Sequence, residues 1–351
     1  MIAFAQRAAL AAIVVIATAC SGPTASSTSR SAAAPTVGPT AAVSGASTPS
    51  PGCGKTSARS GTTHDTMTLA GLGRSWDLHV PAAHDGRTPI PLVVQLHGYG
   101  GNPSEMAFTG LEALGDEEGF IVATPLGRGS KPHWLFELDK PALDVTLANP
   151  DIAFIGALIE RLGHNLCLDT SRIFVAGHSN GAWMTSALPC ALGDRIAAIA
   201  PVSGVLDFGD ACRPARPVPV IAFHGSADTV LPIEGGFDPA LLEELKLDTS
   251  GSFGGDNPIW AVPIRERMAG LATRAGCRSQ PVSDSVSADA ERLVWACPAG
   301  MGMQLVVVDG GGHDWPRSEP GSSNAPAASP RKVDAARVMW DFFKEHRLPA
   351  R

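Results

Sequence analysis

The chain has 351 residues, 44% of them hydrophobic and 17% charged, with a formal net charge of −7 at pH 7. That length and apolar content suffice for one large α/β domain with appendages. The mild acidity gives no electrostatic case for nucleic acid, which would want a basic face, so no nucleic-acid partner is expected.

Arg7 precedes an apolar run over 8–17, too short to span a bilayer and of the length of a signal-peptide core. The run ends Ala17-Thr18-Ala19-Cys20, where small residues before a cysteine resemble a lipobox, although Ala17 stands where leucine is usual. We read Cys20 as a diacylated N-terminus that anchors the protein to a membrane without spanning it. Cleavage after Ala17-x-Ala19, giving a freely secreted protein, is the alternative. Residues 21–52 are Ser, Thr, Ala, Pro and Gly with almost no charge. Such a segment buries too little to offset its ordering entropy and is expected to be a disordered tether. The expected organisation is a signal peptide over 1–19, a lipid-anchored tether over 20–52 and a catalytic domain over 53–351. Gly54-Lys55-Thr56 suggests a phosphate loop, but Pro49 stands where that motif needs glycine.

The domain opens with two strands, 67–72 and 75–80, joined by a Gly-containing turn. A buried strand over 92–96 leads into His97-Gly98-Tyr99-Gly100-Gly101. A helix over 105–118 and a strand over 120–123 follow. Residues 128–146 read as irregular. Ile152, Ile155, Leu158, Ile159 and Leu162 recur at helical spacing over 151–166. A strand over 172–176 runs into Gly177-His178-Ser179-Asn180-Gly181 and a helix over 182–192. Strands over 195–202, 218–223 and 303–308 and a closing amphipathic helix over 331–346 complete the series. Strands alternating with helices predict a mostly parallel sheet covered on both faces. Ligands bind such sheets at the carboxyl ends of the strands.

The chemistry-bearing residues fall at those ends. Gly177-His178-Ser179-Asn180-Gly181 is a G-x-S-x-G turn, in which a strained strand-to-helix corner exposes the serine hydroxyl. An acyl-transferring serine needs a base and a carboxylate to orient that base, in the chain order Ser, Asp or Glu, His. Ser179, Asp228 and His313 fit that order, each just past a predicted strand. Asp228 could instead be a turn residue, with Glu234 and Asp238 as substitutes. His313 could instead be a surface-loop histidine, although no other histidine lies between His224 and His346. His97, His178 and His224 read as satisfied loop histidines. The oxyanion donors are expected to be the N–H of Asn180 and that of Tyr99, with Gly100 second to Tyr99. Trp134, Trp183 and Trp315 are candidates to line the acyl or aryl pocket, against packing in the core. No histidine pair has zinc-helix spacing, so no metal is expected.

Cys53, Cys167, Cys190, Cys212, Cys277 and Cys297 remain after Cys20, an even set that argues for disulfides in an exported chain. Six cysteines allow about 15 pairings, among which sequence alone does not choose; sequence neighbourhood suggests Cys190–Cys212 and Cys277–Cys297, leaving Cys53–Cys167.

Leu96-His97-Gly98-Tyr99, the Ser179 turn, His224-Gly225-Ser226-Ala227-Asp228 and Gly311-Gly312-His313-Asp314-Trp315-Pro316 resemble the polyhydroxybutyrate depolymerase and feruloyl esterase family of carbohydrate-esterase-type α/β hydrolases. Cys167-Leu168-Asp169, Asp151-Ile152-Ala153-Phe154-Ile155 and Cys190 also match, and the likeness covers about 53–346. Its lipid-anchored members, among them mycobacterial-type lipoprotein esterases, share the order of signal, tether and catalytic domain. The resemblance implies an α/β-hydrolase fold and a cofactor-free esterase working through an acyl-enzyme on serine. Ala182 departs from the family's second glycine. The long segment 231–258 leaves acyl preference open, among short aliphatic, feruloyl, acetyl-sugar and hydroxyalkanoate-oligomer esters. The reading is thus an exported serine carboxylesterase taking a small-molecule or oligomeric ester. The alternatives are a catalytically silent polysaccharide- or polyester-binding envelope lipoprotein and a serine peptidase of the same fold.

Overall fold

The computed structural model describes residues 46–55, 60–134, 144–240, 243, 261–317 and 333–349. The expected signal segment, Cys20 and the tether up to residue 45 lie outside the described residues, as does most of 231–258.

Among the described residues, ten strands form one sheet. They are β1 (Gly61–Leu69), β2 (Leu72–Val80), β3 (Ile90–Leu96), β4 (Ile121–Pro125), β5 (Leu168–His178), β6 (Ala198–Val202), β7 (Val220–Gly225), β8 (Pro281–Ser287), β9 (Ala290–Trp295) and β10 (Met303–Val308). The spatial order is β1-β2-β4-β3-β5-β6-β7-β10-β9-β8. The six strands from β4 to β10 in that order run parallel, and an antiparallel hairpin closes each edge. The inner strands are apolar on both faces because both faces are covered. The covering helices are α1 (Leu111–Glu118), α2 (Pro150–Asn165), α3 (Asn180–Leu192), α4 (Ile264–Arg274) and α5 (Ala335–Lys344). Leu92, Val94, Val175, Ala222 and Leu305 face one core, with α2, α3 and α4. Val93, Phe174, Phe223 and Val306 face the other core, with α1 and α5. There Phe174 stacks on Phe343 at 4.6 Å and Phe120 packs on Trp340 at 4.2 Å.

The chain moves outward from β3 to β4 and then crosses to the other side of β3 for β5, so the strand order reverses between β3 and β5. Crevices at such reversals are where these sheets take ligands. The loop after β3 and the turn after β5 therefore share one crevice, and α2 makes the crossover. Its start is specified locally: Asn149 caps the first turn through Asp151 N–H at 2.9 Å, and Pro150 occupies the first helical position. Ile152, Ile155, Leu158, Ile159 and Leu162 supply its buried stripe.

Several boundaries differ from expectation. The first hairpin turns at Ala70-Gly71, whose φ values of 49° and 79° form a tight turn three residues earlier than the one expected at 73–74. The helix expected over 105–118 is two elements, a 3₁₀ turn Pro103–Thr109 and then α1, divided at Gly110 with φ 77°. The hairpin β8–β9 was not anticipated. The chain also joins the domain before Cys53. Pro49 bridges Asp169, and Ser50 Oγ donates to Leu166 O at 2.6 Å while accepting from Leu168 N–H at 2.9 Å. Residues 46–52 are thus docked by hydrogen bonds that their low apolar content gave no reason to expect. Cys53–Cys167, Cys190–Cys212 and Cys277–Cys297 are disulfide-bonded.

Candidate active site

At the end of β5 the chain turns into α3 through Ser179, which adopts φ 55° and ψ −119°. A serine in this sparsely populated region is strained, and the surroundings must over-determine it. Its N–H donates to Val202 O at 2.9 Å on the neighbouring strand. The flanking glycines are steric requirements. A Cβ on Gly177 would lie 2.4 Å from Gly181 O, and one on Gly181 would lie 2.3 Å from Leu96 O. The elbow is therefore pressed onto the end of β3, and Gly98 stands 3.4 Å from Ser179 Cβ when given a Cβ of its own.

Ser179 Oγ lies 2.8 Å from His313 Nε2, and His313 Nδ1 lies 2.8 Å from Asp228 Oδ2. The tautomer that satisfies both bonds carries its proton on Nδ1. It donates to Asp228 and leaves Nε2 to accept the serine hydroxyl. The three side chains are separated by up to 134 residues in sequence. Two loops bring them together. Asp228 Oδ1 accepts from Val230 N–H at 2.9 Å and Leu231 N–H at 2.8 Å, which fixes the turn after β7. The His313 loop after β10 is stitched to that turn by Ala227 N–H on Gly311 O at 2.8 Å and Gly310 N–H on Ser226 Oγ at 2.8 Å. Ser203 Oγ holds the far side of the loop through Asp314 O at 3.0 Å. Glu234 and Asp238, the substitute acids, are not among the partners of His313.

Burial alone would raise the Asp228 carboxyl. The His313 hydrogen bond and charge and the Leu231 N–H outweigh burial and hold it below the ordinary carboxylate value. The three neighbouring histidines are neutral instead. His97 is pushed down to about 4 by burial. Its Nδ1–H donates to Gly98 O at 2.7 Å and its Nε2 accepts Gly127 N–H at 2.9 Å, which leaves no place for a second proton. His178 is pushed down to about 3, by burial first and by the charge of adjacent His313 second. Its ring stands 5.3 Å from that of His313. His224, wholly buried, is lowered by burial and donates Nε2–H to Leu231 O at 2.8 Å.

Asn180 is the first residue of α3, directly after Ser179, so its N–H has no partner within the helix. Of the two residues considered for the second donor, Gly100 is engaged, its N–H donating to Pro132 O at 2.7 Å. Tyr99 N–H meets no acceptor among the described residues. The three tryptophans do not line an open pocket. Trp134, Trp183 and Trp315 are 0%, 2% and 4% exposed, each packed where its large apolar ring gains most from burial. Sequence reasoning missed Phe108, a half-buried ring set edge-on to both His178 at 6.2 Å and Trp315 at 6.3 Å. It also missed the hydrogen bonds of His97, His224 and Trp134, which link residues with no local motif. Among the described residues no cluster of three or more His, Cys, Asp or Glu could hold a metal ion. Among the same residues no helix is long and apolar enough to cross a membrane.

The chain matches no protein-family model. It is 28% identical over 284 residues to feruloyl esterase C of Emericella nidulans, covering 77% of this chain and 84% of that protein. It is 26% identical over 277 residues to feruloyl esterase B of Piromyces equi, covering 77% of this chain and 44% of that protein, so it spans less than half of that relative's length. Among solved structures, the acetyl xylan esterase from Aspergillus awamori superposes with a TM-score of 0.52 at 16% identity, over 81% of this chain and 99% of that one. The chain has the α/β-hydrolase fold and is a carboxylic ester hydrolase.

Proposed function

We propose that the protein is an exported serine carboxylesterase that works through an acyl-enzyme on Ser179. His313 takes the hydroxyl proton as Oγ attacks the ester carbonyl, and Asp228 stabilises the resulting imidazolium. The Asn180 and Tyr99 N–H groups receive the oxyanion. Collapse of the tetrahedral adduct breaks the ester C–O bond, and His313 passes the proton to the leaving alcohol. A water then repeats the sequence and releases the acid. The observation that carries this reading is the relay from Asp228 Oδ2 through His313 to Ser179 Oγ, with both bonds 2.8 Å long.

The names of the relatives favour feruloyl esters or acetyl xylan as substrates. Short aliphatic esters and hydroxyalkanoate oligomers use the same chemistry. Export is supported by the three disulfides, which persist in oxidising compartments, and by the apolar N-terminal run before Cys20, which would carry the lipid anchor. A catalytically silent binder would lack a member of the relay, and none is lacking. Ser179→Ala is expected to abolish hydrolysis of p-nitrophenyl acetate and methyl ferulate, and covalent labelling by a fluorophosphonate, while the protein stays folded. Undiminished turnover in that variant rejects the assignment.

A further inference from the structure

We propose that Trp134 is a positioning residue of the oxyanion hole, tying the segment that carries Tyr99 to the residue that follows the nucleophile. This rests on the catalytic reading above. Trp134 is wholly buried, so it offers no face to a substrate. Its one polar side-chain atom, Nε1–H, donates to His97 O at 3.0 Å. Its backbone is clamped by the Asn180 side chain from both sides: Trp134 N–H donates to Asn180 Oδ1 at 2.8 Å, and Asn180 Nδ2 donates to Trp134 O at 3.2 Å. One residue thus grips both segments, reaching 37 residues back and 46 forward in sequence.

The consequence for aim is direct. Fixing His97 O fixes the peptide plane between His97 and Gly98, and the next peptide carries Tyr99 N–H. Gly127 N–H on His97 Nε2 at 2.9 Å and Gly100 N–H on Pro132 O at 2.7 Å hold the same loop from the strand-end segment that leads into Trp134. Holding the Asn180 side chain fixes the orientation of its own N–H at the start of α3. Oxyanion donors act only when aimed at where charge develops, so a misplacement of about 1 Å costs on the order of 100-fold in rate.

The test replaces Trp134 by β-(3-benzothienyl)alanine, which keeps the ring shape and removes only the N–H, with Trp134→Phe as a second variant and thermal melting as the check on folding. The expected result is a fall in kcat of about 10- to 100-fold with KM changed less than about twofold. Affinity for a boronic acid transition-state analogue should fall in step with kcat/KM, and the acid limb of the pH–rate profile should stay where it is in the parent. Unchanged kcat and analogue affinity in the folded isosteric variant overturn the inference, as does a loss confined to KM, which would make Trp134 a pocket residue. If the parent enzyme itself fails to label at Ser179 with a fluorophosphonate, the catalytic reading falls and the inference with it.

Discussion

Acidification is expected to weaken the domain through His97 in a window set by its own burial. The ring is neutral in the fold, with a pKa of about 4 against an ordinary 6.5. The unfolded chain therefore binds a proton between those values that the folded chain refuses. The associated stability is complete above pH 6.5 and is lost as pH falls toward 4. Each tenfold loss of proton affinity on folding corresponds to about 1.4 kcal/mol, so His97 alone withdraws about 3 kcal/mol across the window. Geometry says why the fold resists the proton. Nε2 accepts Gly127 N–H, so protonation replaces an acceptor with a second donor pointed at a donor. His97→Gln isolates this contribution, because the amide oxygen can still accept from Gly127 while nothing titrates. Urea unfolding of parent and variant across pH 4–7 is the assay. The variant should be less stable at pH 7, having lost the bond to Gly98 O, but should lose stability with falling pH less steeply, by about 1.4 kcal/mol per pH unit near pH 5. His178 and His224 titrate in both proteins and cancel in the difference. Parallel slopes would refute the assignment of a neutral, doubly bonded His97.

Gly181→Ala should destabilise the domain by at least about 1–3 kcal/mol and abolish activity, because its Cβ would stand 2.3 Å from Leu96 O in backbone that cannot yield; urea melts and ester turnover read this. His224→Leu removes the bond to Leu231 O that steadies the turn around Asp228, and kcat should fall about tenfold, with partial recovery in His224→Gln; steady-state kinetics decide. Asp228→Asn should lower kcat by about 10⁴ with the fold intact, since the amide favours the wrong imidazole tautomer; circular dichroism separates this from unfolding. Removing Cys53–Cys167, which spans 114 residues, should cost about 5 kcal/mol, against about 3 kcal/mol for Cys190–Cys212, which spans 22, measured by urea unfolding of the double serine variants.

What could be read in the sequence was whatever is specified locally. The inner strands announce themselves because burial on both faces leaves continuous apolar runs, as at 303–308, where expected and observed bounds agree. Ser179, Asp228 and His313 were visible because each follows such a run with glycine nearby, and Gly177, Gly225 and Gly311 do lie against backbone that a Cβ would strike. The hairpin β8–β9 was hidden for the converse reason. Its outer strand is mostly exposed, with Ser283, Asp284 and Ser285 in place of an apolar face, so no period stands out. The break at Gly110 was hidden because the apolar spacing continues across it. For Trp134 the sequence left two roles open, pocket wall and core packing, and its burial fits the second. Only the distance to His97 O and the clamp by Asn180 show its ring and backbone spent on other residues.

The division of labour among the imidazoles follows from charge. On the proposed mechanism His313 becomes an imidazolium during turnover, and both it and Ser179 are half-buried rather than sealed in the core. His178 and His224 stand close enough to His313 that its charge counts against their own protonation. If either were charged, the same repulsion would act on His313 and raise the barrier to taking the serine proton. Burying the His224 ring and the Nε2 edge of His178 prevents this. His224 also keeps a useful neutral form, since its Nε2–H bonds the carbonyl of Leu231 while lying 3.4 Å from Asp228 Oδ2. The carboxylate is thus left to answer a single positive charge, the one formed on His313, and a substitution that opened His178 to water should slow turnover without touching any atom of the relay.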